Sequence, residues 1–265
     1  MTTPSTSGYA PVNGMEIYWE SHGAGGTPLV LVHPGFGLAS SFGELAGQLS
    51  VRRQVIAVEL QAHGHTRDID RPFSYQAFGD DIAGVLAHLG VDRADLLGYS
   101  LGGGVCLRAV IQYPERVRRV VLVSTPYRSD GWFSDVRDQM ALVGPGIVDQ
   151  LTQSPVYAAW IAVAPDVGAF PSLVTKTGDL VREAYDWTDE VSRLRVPTML
   201  VYGDADSMPP AHCAEFFALL GGGLRDAGWD GAPPTPMRLA ILPGRTHYDV
   251  AAAPELATMV DGFLG

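Results

Sequence analysis

The stretch Leu96-Leu97-Gly98-Tyr99-Ser100-Leu101-Gly102-Gly103-Gly104 constrains this chain more than any other. An apolar run (Ala94, Leu96, Leu97) enters it and a helix-compatible run (Val105, Cys106, Leu107, Ala109, Val110) leaves it. Between them, Gly98-x-Ser100-x-Gly102 predicts a strand-to-helix turn so tight that its middle residue is strained, the pattern of a nucleophile elbow. Glycine at either flank lets strand and helix approach closely while Ser100 projects its hydroxyl beyond the sheet edge. The N-terminal N–H groups of the following helix point at the same place and favour an anion there.

A strand entering that turn needs neighbours, and the chain supplies them in alternation. Tyr9–Val12 and Met15–Trp19 read as short strands around Asn13-Gly14, a strong hairpin signal. Leu29-Val30-Leu31-Val32 is a continuous apolar run, the mark of a strand buried on both faces; Val55-Ile56-Ala57-Val58 reads as the next strand, Val117–Val123 as another buried one, and Thr198–Tyr202 and Arg238–Leu242 as the last two. Helical stretches near Phe42–Leu49, at Tyr75–Leu89, Pro210–Leu220 and Pro254–Phe263 lie between or after them. A hairpin followed by strand-helix alternation predicts an α/β fold, a mostly parallel doubly wound sheet. From Tyr127 to about Glu190 no buried-strand run occurs, while aromatic-bearing helical pieces do. That predicts a helical cap (127–190) inserted into a core of 1–126 and 191–265, since structureless loops beyond ~15 residues are uncommon. Met1–Ser7 reads as a disordered lead, and Gly221–Pro236 as an irregular excursion rich in Gly and Pro.

Composition narrows the class of activity. With 18 Lys and Arg against 29 Asp and Glu, the formal charge of −11 argues against nucleic acid and anionic membrane surfaces. Two cysteines, Cys106 and Cys213, make no disulfide framework. The first residues lack the basic and apolar regions of a signal peptide, and no run approaches the ~18 apolar residues of a membrane span, so a cytoplasmic location is expected. Neither His-Glu-x-x-His nor a Cys/His cluster occurs, so no metal and no cofactor is expected.

Acyl transfer through serine needs a base to take its proton, an acid to orient that base and donors for the oxyanion. In an open α/β sheet these come from loops at the carboxyl ends of strands. Three strand ends carry them in the order Ser100, Asp204 or Asp206, His247. Asp204 and Asp206 are chemically equivalent at this level. His63 and His65 follow a different strand and suit loop hydrogen bonding, while His33 suits bracing the loop after Val32. The oxyanion donors expected are the N–H of Leu101 and one from that loop. Pro34 has none, which leaves Gly35 or Phe36, Gly35 being preferred.

His33-Pro34-Gly35-Phe36-Gly37, Glu59-Leu60-Gln61-Ala62-His63-Gly64-His65-Thr66, Gly98-Tyr99-Ser100-Leu101-Gly102-Gly103-Gly104, Gly203-Asp204-Ala205-Asp206 and Pro243-Gly244-Arg245-Thr246-His247 together resemble the α/β-hydrolase superfamily. Within it the chain is similar to bacterial esterase/haloperoxidase-like and C–C hydrolase branches. The resemblance implies Asp206, the aspartate of Gly-x-x-Asp, as the acid. Two departures stand out: His33-Pro34 replaces the usual His-Gly, and Glu59-Leu60-Gln61-Ala62-His63-Gly64 replaces the usual Asp-x-Arg-Gly-His-Gly.

The expectation is therefore a serine hydrolase cleaving a carboxylic ester or related small acyl substrate. A C–C bond hydrolase or lactonase would use the same residues, and a weakly catalytic binding protein of the same fold is a rival of another class. The aromatic residues suggest an apolar acyl or aromatic substrate, with Tyr99, Trp132, Trp160, Trp187 and Tyr248 as pocket candidates, although core-packing aromatics give the same pattern. Oligomeric state is left open.

Overall fold

A computed structural model describes residues 6–229, 231 and 235–265. Residues 1–5 of the expected lead and 230 and 232–234 of the Gly221–Pro236 excursion lie outside the described residues. The chain builds β1 Thr6–Val12, β2 Met15–His22, β3 Leu29–Val32, α1 Gly43–Leu49, β4 Val55–Val58, α2 Tyr75–His88, β5 Ala94–Tyr99, α3 Leu101–Gln112 and β6 Val117–Val123. Five helices come next: α4 Ser134–Ala141, α5 Val148–Leu151, α6 Pro155–Ile161, α7 Phe170–Arg182 and α8 Thr188–Ser192. Then come β7 Thr198–Ala205, α9 Pro210–Leu219, β8 Arg238–Thr246 and α10 Pro254–Leu264.

The eight strands form one sheet in the order β1-β2-β4-β3-β5-β6-β7-β8. β1 and β2 pair antiparallel, as do β2 and β4, and every other pairing is parallel. This is the α/β-hydrolase fold. The hairpin turns at Asn13 and Gly14, both at positive φ, as a two-residue primed turn requires. The central strands bury both faces. Leu31, Ala57, Leu97, Val121 and Val201 pack with α1 and α10, whereas Val30, Ile56, Leu96, Leu122 and Leu200 pack with α2, α3 and α9. Strand alternation sends successive side chains to opposite sides, so an unbroken apolar run is what a doubly covered strand demands.

Register sets the carboxyl ends level. Val32 pairs Gly98, Tyr99 pairs Val123 and Val123 pairs Val201. The residues that come after β3, β5, β6 and β7 therefore emerge side by side along one edge.

Several element ends differ from the sequence expectation. β1 already includes Thr6 and Ser7 of the presumed lead, and β2 runs three residues beyond Trp19 to His22. β7 continues to Ala205 and β8 to Thr246, where turns after Tyr202 and Leu242 were expected. The pairing between them shifts between Gly203 and Ala205, a bulge that re-aims Asp206 and His247 at the ends of the two strands. Pro243 is tolerated because β8 is an edge strand and the residue falls between the paired positions Leu242 and Thr246, where the register with β7 shifts.

Between β6 and β7 the chain is helical, as its aromatic-rich composition suggested. The root of this segment is zipped: Arg128 bridges Asp186, the Ser129 N–H donates to Tyr185 O (2.9 Å) and the Trp187 N–H to Tyr127 O (3.1 Å). Its far part is tied to the loop after β4. The Trp160 indole N–H donates to Ala62 O (3.0 Å), and Asp68 receives Lys176 Nζ (2.8 and 2.9 Å) and Ser172 Oγ (2.6 Å).

Candidate active site

Ser100 stands between β5 and α3 with φ 55° and ψ −119°, a left-handed conformation that a residue with a Cβ adopts only under constraint. The constraint is visible in its flanks. A Cβ on Gly98 would lie 2.1 Å from Gly102 O, and one on Gly102 would lie 2.1 Å from Val32 O. Only glycine lets α3 start so close to β5 and β3. The Ser100 N–H donates to Val123 O (2.9 Å), which pins the turn to β6.

Ser100 Oγ lies 3.0 Å from His247 Nε2, and His247 Nδ1 lies 3.0 Å from Asp206 Oδ1. The three side chains come from the ends of β5, β8 and β7, joined by the bulged β7–β8 pairing that sets Ala205 opposite Thr246. Two further contacts hold the imidazole. The Tyr99 hydroxyl donates to the His247 carbonyl, and the Trp132 ring meets the imidazole edge-on at 5.4 Å between centroids.

Geometry distinguishes the two aspartates. The Asp206 side chain is fully enclosed. Besides His247, its Oδ1 accepts the Ser207 N–H (2.7 Å), and its Oδ2 accepts the Gly203 N–H (3.1 Å) and the Ser124 hydroxyl. Burial pushes its carboxyl pKa up, but the His247 and Ser124 hydrogen bonds together with the charge attraction of His247 outweigh it, and the net direction is down. Asp206 is thus held as a carboxylate. Asp204 instead accepts the Gly244 N–H (2.8 Å) at an exposed site, a turn-bracing role.

The other side of Ser100 is built from neutral groups. Leu101 is the first residue of α3, so its N–H has no acceptor within the helix. Gly35 faces it: a Cβ there would lie 3.7 Å from Leu101 Cδ1. Phe36 is the other candidate the sequence leaves open. Its N–H already donates to His63 Nε2 (3.3 Å), so of the two it is the Gly35 N–H that has no acceptor among the described residues.

His63 can accept because its Nδ1–H is given to Gln61 O (2.9 Å). His33 works reciprocally, donating from Nδ1 to Pro34 O (2.8 Å) and accepting the Leu60 N–H at Nε2 (3.0 Å). Burial pulls both pKa values down, that of His63 to about 4 and that of His33 well below the usual range, with the neighbouring His63 adding to the effect on His33. The two neutral rings, 4.7 Å apart, brace the β3 and β4 loops against each other. The unusual Glu59 closes the same region. Its carboxylate accepts the N–H groups of Ala39 (3.1 Å) and His65 (2.6 Å) and pairs with the His65 ring (3.0 Å).

The five pocket candidates fall in different places. Trp132 touches the His247 ring and also lines a cavity of about 270 Å³ with Tyr75, Met140 and Tyr185. Tyr99 and Tyr248 line a separate pocket of about 310 Å³ with Phe42, Leu45 and Pro254, Tyr248 being 82% exposed. Trp160 (2% exposed) and Trp187 (4%) are core residues; the first anchors the helical segment to Ala62 and the second stands edge-on to Tyr75. Sequence reasoning missed Ser124 and the Tyr99–His247 contact. Among the described residues, no group of three or more His, Cys, Asp or Glu side chains is placed to hold a metal ion, and no helix is long and apolar enough to cross a membrane.

A family model described as the alpha/beta hydrolase fold matches residues 27–154. A protein of Azorhizobium caulinodans assigned as the carbamate hydrolase RutD is 29% identical over 97% of this chain and 98% of its own length. The pimeloyl-[acyl-carrier protein] methyl ester esterase of Pectobacterium carotovorum subsp. carotovorum is 27% identical over 91% of this chain and 95% of its own. The 2-hydroxymuconate semialdehyde hydrolase of a Pseudomonas species is 35% identical, but over 44% of this chain and 46% of its own. Among solved structures, the serine hydrolase CarC of carbazole degradation superposes with a TM-score of 0.74 at 20% identity, covering 98% of both chains. The carboxylesterase CesB of Bacillus subtilis does so with a TM-score of 0.73 at 18% identity, covering 99% of this chain and 92% of its own. At these identities the superpositions establish the fold.

Proposed function

From a chain that belongs to the α/β-hydrolase superfamily, we infer a serine hydrolase that cleaves a carboxylic ester or a related small acyl compound. The observation that carries this reading is the hydrogen-bonded line from Ser100 Oγ through His247 to Asp206, with Ser100 on a strained turn. Ser100 attacks the acyl carbonyl as His247 Nε2 takes its proton, and His247 then returns that proton to the departing alkoxide. Asp206 fixes the imidazole with Nδ1 protonated and balances the charge it gains. The developing oxyanion is received by the Leu101 N–H at the N-terminus of α3, whose partial positive charge adds to it, and by the Gly35 N–H of the loop after β3. Water, deprotonated by the same histidine, resolves the acyl-enzyme. Substrate and water apart, the groups these steps use are side chains and N–H groups of this chain.

Hydrolysis of a C–C bond or a lactone would use the same three residues, and the partial match to 2-hydroxymuconate semialdehyde hydrolase gives it weight. A panel of esters, lactones and vinylogous diketones separates the two. Enzyme against binding protein is decided by a fluorophosphonate probe. Native protein is expected to label, while Ser100→Ala neither labels nor hydrolyses p-nitrophenyl acetate, with turnover down by ~10⁶. Labelling that survives Ser100→Ala would place the nucleophile elsewhere.

A further inference from the structure

Ser124 stands out on three counts. It is completely buried, its φ is +49° although it carries a Cβ, and its hydroxyl reaches the acid of the proposed triad. A serine at positive φ is strained, and a buried strand end offers no solvent to compensate. Glycine would sit there at lower cost, so the conformation calls for an explanation in the side chain. A carboxylate has no proton to give, so the Ser124 hydroxyl donates to Asp206 Oδ2.

The position of that bond matters more than its existence. Two other donors to Asp206, the N–H groups of Gly203 and Ser207, lie within three residues of it and move with its own loop. Ser124 directly follows β6, and its N–H donates to Val201 O of β7 (2.8 Å). β6 in turn receives the Ser100 N–H at Val123 O (2.9 Å). The contacts therefore close a ring: Ser100 to β6, Ser124 to Asp206, Asp206 to His247, His247 back to Ser100.

We propose that Ser124 is a positioning residue for the proposed reaction: its hydroxyl ties the Asp206 carboxylate to the strand that carries the nucleophile turn, and so sets the His247–Ser100 alignment. This rests on the serine-hydrolase reading. Asp206 is also faced by Tyr202 of β7, Cys213 of α9 and Tyr99 of β5, all of which burial pushes up, Cys213 to about 12.

The test uses Ser124→Gly, which removes the hydroxyl and relieves the positive φ, with Ser124→Ala as the variant that keeps the Cβ. Each is made in the native chain and in Asp206→Asn, and p-nitrophenyl acetate hydrolysis is measured from pH 5 to 9 alongside thermal melting. Ser124→Gly should melt no lower than the native protein while kcat falls roughly tenfold and KM stays within about twofold, as expected for a lost hydrogen bond to a charged group. The acid limb of the pH profile should move to higher pH, because a carboxylate that has lost a donor stabilises the imidazolium more. In the Asp206→Asn background the same change should cost less than about twofold, since coupled residues are not additive. Should either variant melt lower, the profile still decides, because a loss of folded protein scales turnover without moving the limb. A native kcat and profile in Ser124→Gly, or equal losses in both backgrounds, overturns the proposal. Undiminished turnover in Ser100→Ala would instead sink the hydrolase reading beneath it.

Discussion

Two histidine settings flank Ser100, and they differ in almost every physical respect. On the β7–β8 side, His247 is partly open to solvent, backed by a carboxylate and in contact with the serine it would serve. On the β3–β4 side, His33 and His63 are completely buried, bonded to backbone groups and kept neutral by burial. The first setting accommodates a charge that appears and vanishes. The second has no use for charge, because its task is to present N–H groups in a fixed place. One residue type thus suits the proposed proton transfer in one place and bracing in the other by what its second nitrogen meets, a carboxylate or a carbonyl.

Breaking the charged side should have the larger effect. Asp206→Asn is expected to lower kcat by up to ~10⁴ with the fold intact, because an amide favours the wrong imidazole tautomer. Asp204→Asn, which loses only the contact to the Gly244 N–H, should stay within a few-fold on the same ester. Equal losses would erase the distinction drawn between the two carboxylates.

On the neutral side, His63→Leu removes the acceptor of the Phe36 N–H. The loop bearing Gly35 then loses a fixed point, and kcat should fall by ~10²-fold at nearly constant KM, the scale of a lost oxyanion donor. A native kcat in a folded His63→Leu protein would show that the brace is dispensable.

Acidification sharpens the comparison through stability. Below about pH 6.5 the unfolded chain protonates His33, His63 and His212, while the folded chain holds them neutral, His63 and His212 until about pH 4. The unfolded state therefore binds more protons across that window, and stability falls as pH drops from about 6.5 towards 4. His65, raised by its bond to Glu59, works in the opposite sense, so three groups oppose one. Denaturant midpoints at pH 7 and pH 4.5 measure the balance, and equal midpoints would break it.

The smallest expected effect separates two tryptophans of the helical segment. Trp132→Phe, at the ring contact with His247, should change relative rates across an ester series several-fold with little change in melting. Trp160→Phe gives up the bond to Ala62 O and should cost ~1 kcal/mol of stability with relative rates unchanged. The reverse pattern would put Trp160 in the pocket.

Much of this was legible because short motifs encode backbone geometry. Gly98-x-Ser100-x-Gly102 announced a turn whose glycines are required by contacts of 2.1 Å, and the apolar runs announced strands covered on both faces. Pro34 excluded itself as a donor by lacking an N–H. The end of β8 was read as a turn because Pro243 and Gly244 interrupt the pattern, and an edge strand tolerates both; Gly203 interrupts β7 in the same way, which nonetheless runs on to Ala205. Trp160 and Trp187 could not be assigned to pocket or core, since aromatic residues at helical spacing look alike in either place.

The sequence by itself determined the strands, the strained serine and the order of Ser100, the carboxylate and His247, because each depends on residues near it in the chain. It also narrowed the second oxyanion donor to Gly35 or Phe36. Only the tertiary structure decided that His63 occupies the Phe36 N–H, that Asp206 and not Asp204 meets His247, and that Ser124 completes its shell. Those contacts join residues 27 to 82 positions apart. They exist because the sheet places β3 beside β4, β6 beside β7 and β7 beside β8 in a particular register. A hydrogen bond over 3 Å is set by that register, and no local pattern of residue types carries it.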